Sequence, residues 1–155
     1  MRSLKQIIRE GILTLEKNNV KSAKLDCEIL LSQAIGKDRK FVVLNQNEYL
    51  DKNSYDYFKD LINERLKGKP IAYLIGKKSF WNYEFKMNDD TLIPRPDTEI
   101  LIEQILRITK NKNKLKLLDI GVGSGCILLS ILSERKNYYG IGIDISKKCL
   151  ELSKI

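Results

Sequence analysis

The sequence predicts an α/β protein in which a helical bundle comes first and the opening units of a doubly wound, parallel sheet come last. Three observations predict this class. Apolar residues recur at helical spacing over about the first 70 residues. Aromatic residues then cluster in a short stretch with strand-like alternation. Finally, two apolar runs typical of strands alternate with two helical segments, which is the order of a parallel sheet with crossover helices.

Length and composition are those of a folded chain with one ordinary domain or two small ones. The sequence has 155 residues, and 43% of them are apolar. It contains no apolar run of about 18 residues, the length that a membrane span needs, and its charged, amphipathic beginning is unlike a signal peptide. We therefore expect a cytoplasmic protein that makes no contact with a membrane.

The types of side chain in the sequence exclude some kinds of catalytic and metal site and disfavour others. Histidine is missing from the sequence, which excludes imidazole-dependent nucleophile triads and histidine-ligated metals. The cysteines at 27, 126 and 149 are odd in number and far apart, so packing is favoured over a disulfide framework or a metal clamp. The net charge of +8 is compatible with RNA, but the lysines are spread along the chain without interleaved aromatics, so direct nucleic-acid binding is not favoured.

Residues 1–76 are predicted to form a small helical domain. Apolar residues at helical spacing mark four segments, over 4–15, 27–35, 41–44 and 58–66. Gly36 is the predicted end of the second segment. The fourth is predicted to begin at Asn53 or Ser54 and to end at Gly68.

Residues 77–95 are predicted to form a β-hairpin linker. Apolar and polar residues alternate over 80–87, and the polar turn 88–90 is predicted to lead into a second strand over 91–93. The prolines of segment 94–96 then end the hairpin.

Residues 96–155 are predicted to begin a parallel α/β domain. A helix with an acidic first turn starts at Asp97, and the polar segment 110–114 is a loop. The remaining chain reads as strand, helix, strand and helix, over 115–119, 124–134, 139–144 and from 146 onward.

A glycine loop follows the first of these strands and is the candidate cofactor site. Glycine allows the backbone to turn sharply and to approach a ligand closely. An acidic side chain at the end of the next strand can accept hydrogen bonds from a ribose diol. The predicted cofactor-binding residues are Gly121, Val122, Gly123, Ser124, Gly125 and Asp144.

Two cofactors fit such a loop, a dinucleotide and S-adenosylmethionine. The residues at positions 119 and 126 distinguish between them. The third small residue of a dinucleotide fingerprint would fall at position 126, where the chain has Cys126. Asp119 is badly placed beside a pyrophosphate but suits the ammonium and sulfonium of S-adenosylmethionine. The loop could instead be a tight turn with a purely structural role. Asp144 could instead cap the following helix, although Ser146 is the better candidate for that cap.

Two further segments resemble a known family. Thr91 to Glu99, with the sequence TLIPRPDTE, and Glu64 to Gly76, followed by Phe80-Trp81, are similar to the release-factor glutamine N5-methyltransferases of the PrmC/HemK family. The order of helical domain, hairpin and glycine loop also matches, so the resemblance covers essentially the whole chain. It implies an incomplete, Rossmann-like methyltransferase fold after the hairpin.

The resemblance also implies a function. In that family S-adenosylmethionine binds at the glycine loop and the strand-end acid, which here are 121–125 and Asp144. The helical domain is expected to engage class I peptide chain release factors, whose Gly-Gly-Gln loop carries the methylated glutamine. The family's Asn-Pro-Pro-Tyr signature is absent, because the chain's only prolines lie at 70, 94 and 96. We therefore name no catalytic residue and expect a truncated chain that does not catalyse alone.

Three alternatives stay open at this point. The chain could belong to a related N-methyltransferase that acts on a ribosomal protein or nucleic acid. It could instead be a non-catalytic module whose helical bundle binds a partner. A nicotinamide dehydrogenase is the least favoured, because of Asp119 and Cys126.

Overall fold

A computed structural model describes residues 2–154, which divide into two compact units with a boundary between Ile75 and Gly76. The first unit holds five helices: α1 (Leu4–Lys17), α2 (Ala23–Ile35), α3 (Arg39–Leu44), α4 (Lys52–Leu66) and α5 (Ile71–Leu74). The second unit holds β1 (Lys77–Phe80), β2 (Tyr83–Lys86), α6 (Thr98–Ile108), β3 (Lys116–Ile120), α7 (Cys126–Glu134), β4 (Tyr139–Ile143) and α8 (Lys147–Ser153). The α/β class is confirmed, and no helix among residues 2–154 is long and apolar enough to cross a membrane.

The first unit is a bundle with one apolar core. Leu15 and Leu30 are completely buried there, together with other residues of the predicted apolar faces. Local signals set the helix ends. Ser3 and Gln6 form a reciprocal capping box at the start of α1, and α2 ends at Gly36 with a φ of 63°. The predicted helical segments of this unit are therefore confirmed.

Two details of the helical prediction are wrong. Helix α4 is capped by Asp51, whose side chain accepts a hydrogen bond from the Ser54 amide at 3.0 Å, and neither Asn53 nor Ser54 is the cap. An aspartate three residues before an amide is placed to satisfy that free donor, whereas Ser54 already lies inside the first turn. Helix α5, which follows Pro70, was not predicted, because four residues are too few for a periodic signal.

The hairpin exists, but its turn differs from the predicted one. Strands β1 and β2 pair antiparallel with Phe80 opposite Tyr83, so the connection is Trp81-Asn82 and not 88–90. Trp81 has a φ of 54°, a left-handed conformation that a tryptophan rarely adopts. Residues 91–93 form no strand. The predicted pairing of that segment is therefore wrong, although an Asx turn does form at Asn88, whose side chain accepts from the Asp90 amide at 3.1 Å.

Two carboxylates hold the hairpin turn in place. The Trp81 amide donates to Glu99 at 2.7 Å, and the Trp81 indole donates to Glu134 at 2.7 Å. The side chain of Asn82 also donates to Glu134, at 3.2 Å. These contacts come from helices α6 and α7, so the left-handed turn is stabilised by tertiary structure and not by local sequence.

Replacing Glu134 with alanine is expected to destabilise the second unit by about 1–3 kcal/mol, because the indole and the Asn82 amide lose their acceptor. Trp81 is the chain's only tryptophan, so its fluorescence reports this change directly. We expect a lower urea midpoint and a red-shifted native emission. Glu103→Ala, an exposed position on α6, is the control and should leave both unchanged.

The second unit builds a parallel pair of strands covered on one face. Strand β3 pairs with β4 in register from Lys116 opposite Tyr139 to Ile120 opposite Ile143. Helix α7 packs on both strands and on α6. The predicted order of strand, helix, strand and helix is thus confirmed, with the last helix ending at Ser153. The predicted end of that helix at residue 155 lies outside the described residues. The opposite face of the two strands is exposed; it carries Leu118, Ile120, Tyr139, Ile141 and Ile143.

Candidate functional site

The glycine loop lies at the carboxyl end of the parallel strands and is built by backbone conformation. Gly121, Gly123 and Gly125 have φ values of 82°, 54° and 80°, all in the left-handed region where a side chain is strained. The amides of Gly121 and Val122 both donate to the Ile143 carbonyl, at 2.8 and 3.0 Å. The loop is therefore fixed to the end of β4. A Cβ on Gly121 would meet nothing within 4 Å, so this side of the loop is open to a ligand.

Asp144 joins the glycine loop to the start of α8. Its Oδ2 accepts from the Gly123 amide at 2.9 Å, and its Oδ1 accepts from the Ser146 amide at 2.9 Å. The hydrogen bonds from Ser146 and then Gly123 lower the pKa of this carboxyl, so it is charged at neutral pH. Each oxygen keeps a lone pair, and the side chain is partly exposed, so it can still accept from a ligand diol.

Asp119 supplies the second carboxylate of the site. It lies in β3, two residues before Gly121, and its Oδ2 is buried without a hydrogen-bond partner among residues 2–154. Burial raises the pKa of this carboxyl above its usual 3.8; the nearby Leu128 amide opposes the rise, and the charge of Asp144 adds to it. A buried acceptor without a partner costs free energy, and a cationic donor from a ligand would satisfy it.

The other two predicted site residues have their side chains buried in the unit. The Val122 side chain lies over Gly142 of β4 and is 7% exposed. Ser124 is 6% exposed, and its hydroxyl has no hydrogen-bond partner in the described part of the chain. The structure thus brings Gly121, Gly123 and Gly125 together with Asp144. Val122 and Ser124 contribute backbone to the loop.

Gly142 is the residue that lets Val122 pack so closely. A Cβ at this position would lie 2.6 Å from Val122 Cγ2 and 2.9 Å from its Cβ, so the loop would have to move. We expect Gly142→Ala to lower the free energy of unfolding by about 1–3 kcal/mol, which is measured as a lower urea midpoint. Gly140→Ala is the control. Its nearest neighbours are the rotatable ends of Leu128 and Leu132, so a smaller loss is expected.

Sequence reasoning missed contacts that attach the segment before α6 to α8. The Cys149 thiol donates to the Asp90 carbonyl at 3.0 Å, and Lys148 forms an ion pair with the Asp90 carboxylate at 3.0 Å. Thr91 is 2% exposed in the same segment. The only sequence signal was the polar turn, which indicates a change of direction but no partner. These contacts fix the chain that runs from the hairpin to α6 beside the start of α8.

Comparison with known proteins identifies the amino-terminal unit. A family model for the PrmC N-terminal domain matches residues 6–76. The release factor glutamine methyltransferase of Buchnera aphidicola (subspecies Acyrthosiphon pisum) is 39% identical over 153 residues, which cover 99% of this chain and 54% of that relative.

Proteins of two other bacteria are also similar to this chain. The release factor glutamine methyltransferase of Shewanella oneidensis is 37% identical over 133 residues, covering 86% of this chain and 46% of that relative. A bifunctional methyltransferase of Rickettsia felis is 34% identical over 179 residues, covering 98% and 34% respectively. The chain spans about half the length of the curated release factor methyltransferases that it matches. Residues 6–76 therefore belong to the PrmC N-terminal domain family, and nearly the whole chain is similar in sequence to release factor glutamine methyltransferases.

Proposed function

We propose that this chain forms the helical domain and the cofactor-binding end of an S-adenosylmethionine-dependent methyltransferase. The enzyme would act in the cytoplasm and methylate the side-chain nitrogen of the glutamine in the Gly-Gly-Gln loop of class I release factors. The names of the relatives support a release-factor substrate. The cofactor and the loop are inferred from the site and from the resemblance described above.

The observation that carries the proposal is the unpaired, buried oxygen of Asp119 beside an open glycine loop. S-adenosylmethionine carries an ammonium group, which would satisfy this oxygen with a charge-assisted hydrogen bond. Its ribose diol would meet the free lone pairs of Asp144, and the glycine loop would accept its close approach. The residues present therefore fit this cofactor.

The same pair of carboxylates disfavours a dinucleotide. Asp119 and Asp144 belong to adjacent strand ends, and the charge of Asp144 already raises the pKa of Asp119. A pyrophosphate at the glycine loop would add negative charge to a site that contains two acids, and the Coulomb term would oppose its binding. A cationic ligand lowers this repulsion instead.

An amide nitrogen is a weak nucleophile because its lone pair is delocalised. Catalysis therefore depends on holding the glutamine in line with the transferred methyl group, which the sulfonium of the cofactor supplies. In this chain the carboxylates and glycine backbone would hold and orient the cofactor, and the helical unit would help to bind the release factor.

A ligand series tests the cofactor assignment by isothermal titration calorimetry on the 155-residue chain. S-adenosylmethionine and S-adenosylhomocysteine carry the ribose and the ammonium, whereas methylthioadenosine lacks the ammonium. We expect the first two to bind at least about tenfold more tightly than methylthioadenosine, the factor that one charge-assisted hydrogen bond supplies. Equal affinity for all three, or tighter binding of NAD, would contradict the proposal.

The substrate assignment is tested separately with intact, unmethylated proteins. Biolayer interferometry with the immobilised chain should detect binding of a class I release factor. It should detect no binding of a ribosomal protein that is normally methylated on glutamine, when that protein is supplied without its methyl group. Binding to the ribosomal protein alone would favour the related N-methyltransferase. Release-factor binding without any affinity for the cofactor would favour a partner-binding module.

A further inference from the structure

We propose that a basic groove at the amino-terminal edge of the β3-β4 sheet binds the phosphate backbone of a nucleic acid. The groove has a volume of about 360 Å³. Two asparagines line it together with Lys110, Lys112, Glu134, Arg135, Lys136 and Tyr138. The proposal goes beyond methyl transfer and does not depend on it.

The fold concentrates charge that the sequence disperses. Segment 107–116 contains five cationic residues and no acidic one, and Arg135-Lys136 follows about 20 residues later. The parallel pairing of Lys116 with Tyr139 brings the two segments to the same edge of the sheet. Spread along the sequence, these lysines indicate only a basic surface; gathered at one edge, they form a local positive field.

A buried tyrosine gives the groove a defined shape. Tyr138 is 8% exposed, and its hydroxyl lies 3.0 Å from the Thr109 carbonyl and 3.1 Å from the Lys112 carbonyl. The Arg135 guanidinium donates to the Leu106 carbonyl at 3.5 Å. The loop after α6 is thereby tied to the segment before β4, so the cations stand on a fixed backbone.

The positive charge of the groove is not neutralised within the described residues. None of Lys110, Lys112 and Lys136 forms an ion pair with another residue of the range 2–154. The groove's acid, Glu134, directs its carboxylate to Trp81 and Asn82. Exposed lysines without acidic partners release counterions when they meet phosphates, which is the main source of non-specific nucleic-acid affinity.

The lining favours phosphate contacts over base contacts. It consists mainly of cationic and amide side chains, and its one aromatic ring is buried and therefore offers no stacking platform. A concave, polar groove suits a polymer backbone better than a membrane, which favours apolar anchors on an exposed face. The groove and the glycine loop lie at opposite ends of β3, so a bound nucleic acid would leave the cofactor site open.

Fluorescence anisotropy with labelled RNA and DNA oligonucleotides of one sequence tests the proposal. We expect binding that weakens steeply between about 50 and about 200 mM salt. The triple variant Lys110→Gln, Lys112→Gln, Lys136→Gln should bind at least about tenfold more weakly, with the slope of log K against log salt reduced by about 2–3. Comparison of the two oligonucleotides shows whether the 2′-hydroxyl contributes.

The matched control removes the same charge from exposed lysines of the helical unit, in the triple variant Lys17→Gln, Lys21→Gln, Lys24→Gln. It should retain affinity within about twofold, because none of these three residues lines the groove. Equal losses in both variants would overturn the proposal by showing that only net charge matters. No binding at low salt, or groove-dependent binding to phosphatidylserine vesicles without binding to either oligonucleotide, would also overturn it.

Discussion

Replacing Arg65 with methionine is expected to destabilise the helical unit by about 3 kcal/mol, because it leaves the carboxylate of Asp26 buried and without its cation. Asp26 is 4% exposed, and its Oδ2 accepts from Arg65 Nε at 2.8 Å and from the Ser22 hydroxyl at 2.9 Å. The hydroxyl alone cannot replace the lost charge. The loss is measured as a lower urea midpoint of the helical signal in far-ultraviolet circular dichroism.

Two further variants show that the buried charge is the cause. Arg39 pairs with Glu28 at 2.7 Å but is itself 54% exposed, so water can replace it, and Arg39→Met should cost less than Arg65→Met. The double variant Asp26→Leu, Arg65→Met removes both charges and should recover most of the stability. Equal losses for Arg39→Met and Arg65→Met, or no recovery in the double variant, would contradict this explanation.

The helices and parallel strands were predictable because local sequence encodes them. Apolar spacing gives the buried faces, and Gly36 marks an end that requires a left-handed residue. The hairpin turn was not predictable in this way. Trp81 adopts its unusual φ because Glu99 and Glu134, 18 and 53 residues away, accept its two N–H groups. The local turn at 88–90 is real, but local sequence cannot tell whether a turn joins paired strands.

In the candidate site, too, some features were predictable from local sequence and others depend on tertiary contacts. The glycines of the loop were identified from sequence because their conformations exclude side chains. The hydrogen bonds from Gly123 and Ser146 to Asp144 depend on how two strands align, and they give this residue a structural role beside its predicted one. The unpaired oxygen of Asp119 also emerges only when the strand is packed.

Asp119→Asn is expected to weaken the binding of S-adenosylmethionine by about 10–100-fold, the range that one charge-assisted hydrogen bond provides. Asparagine keeps the shape of the side chain but not its charge. Methylthioadenosine, which lacks the ammonium, should bind the variant and the unsubstituted chain with equal affinity. Calorimetry on both proteins measures the difference, and Glu103→Gln, an exposed loss of one acid, is the control.

The pH dependence of cofactor binding provides an independent test of the role of Asp119. The pKa of Asp119 is raised by burial, so on acidification from neutral pH this carboxyl becomes protonated before an ordinary one and loses its attraction for an ammonium. Asp144 has a lowered pKa, owing to the amides of Ser146 and Gly123, and stays charged over the same interval. Affinity for the cofactor should therefore fall with falling pH in the unsubstituted chain, and the fall should be much smaller in Asp119→Asn.

As the pH changes, the contribution of Asp119 to the free energy of unfolding should change in the opposite direction from the affinity for the cofactor. Because the folded-state pKa of Asp119 is raised, its contribution to stability is greatest when it is protonated and is lost as the pH rises through that pKa. Asp119→Asn removes this cost and should leave the chain as stable as before, or more stable, at neutral pH. A variant that loses cofactor affinity while its urea midpoint holds or rises would identify Asp119 as a ligand-binding group. A parallel loss of both would mean that its carboxylate serves the fold.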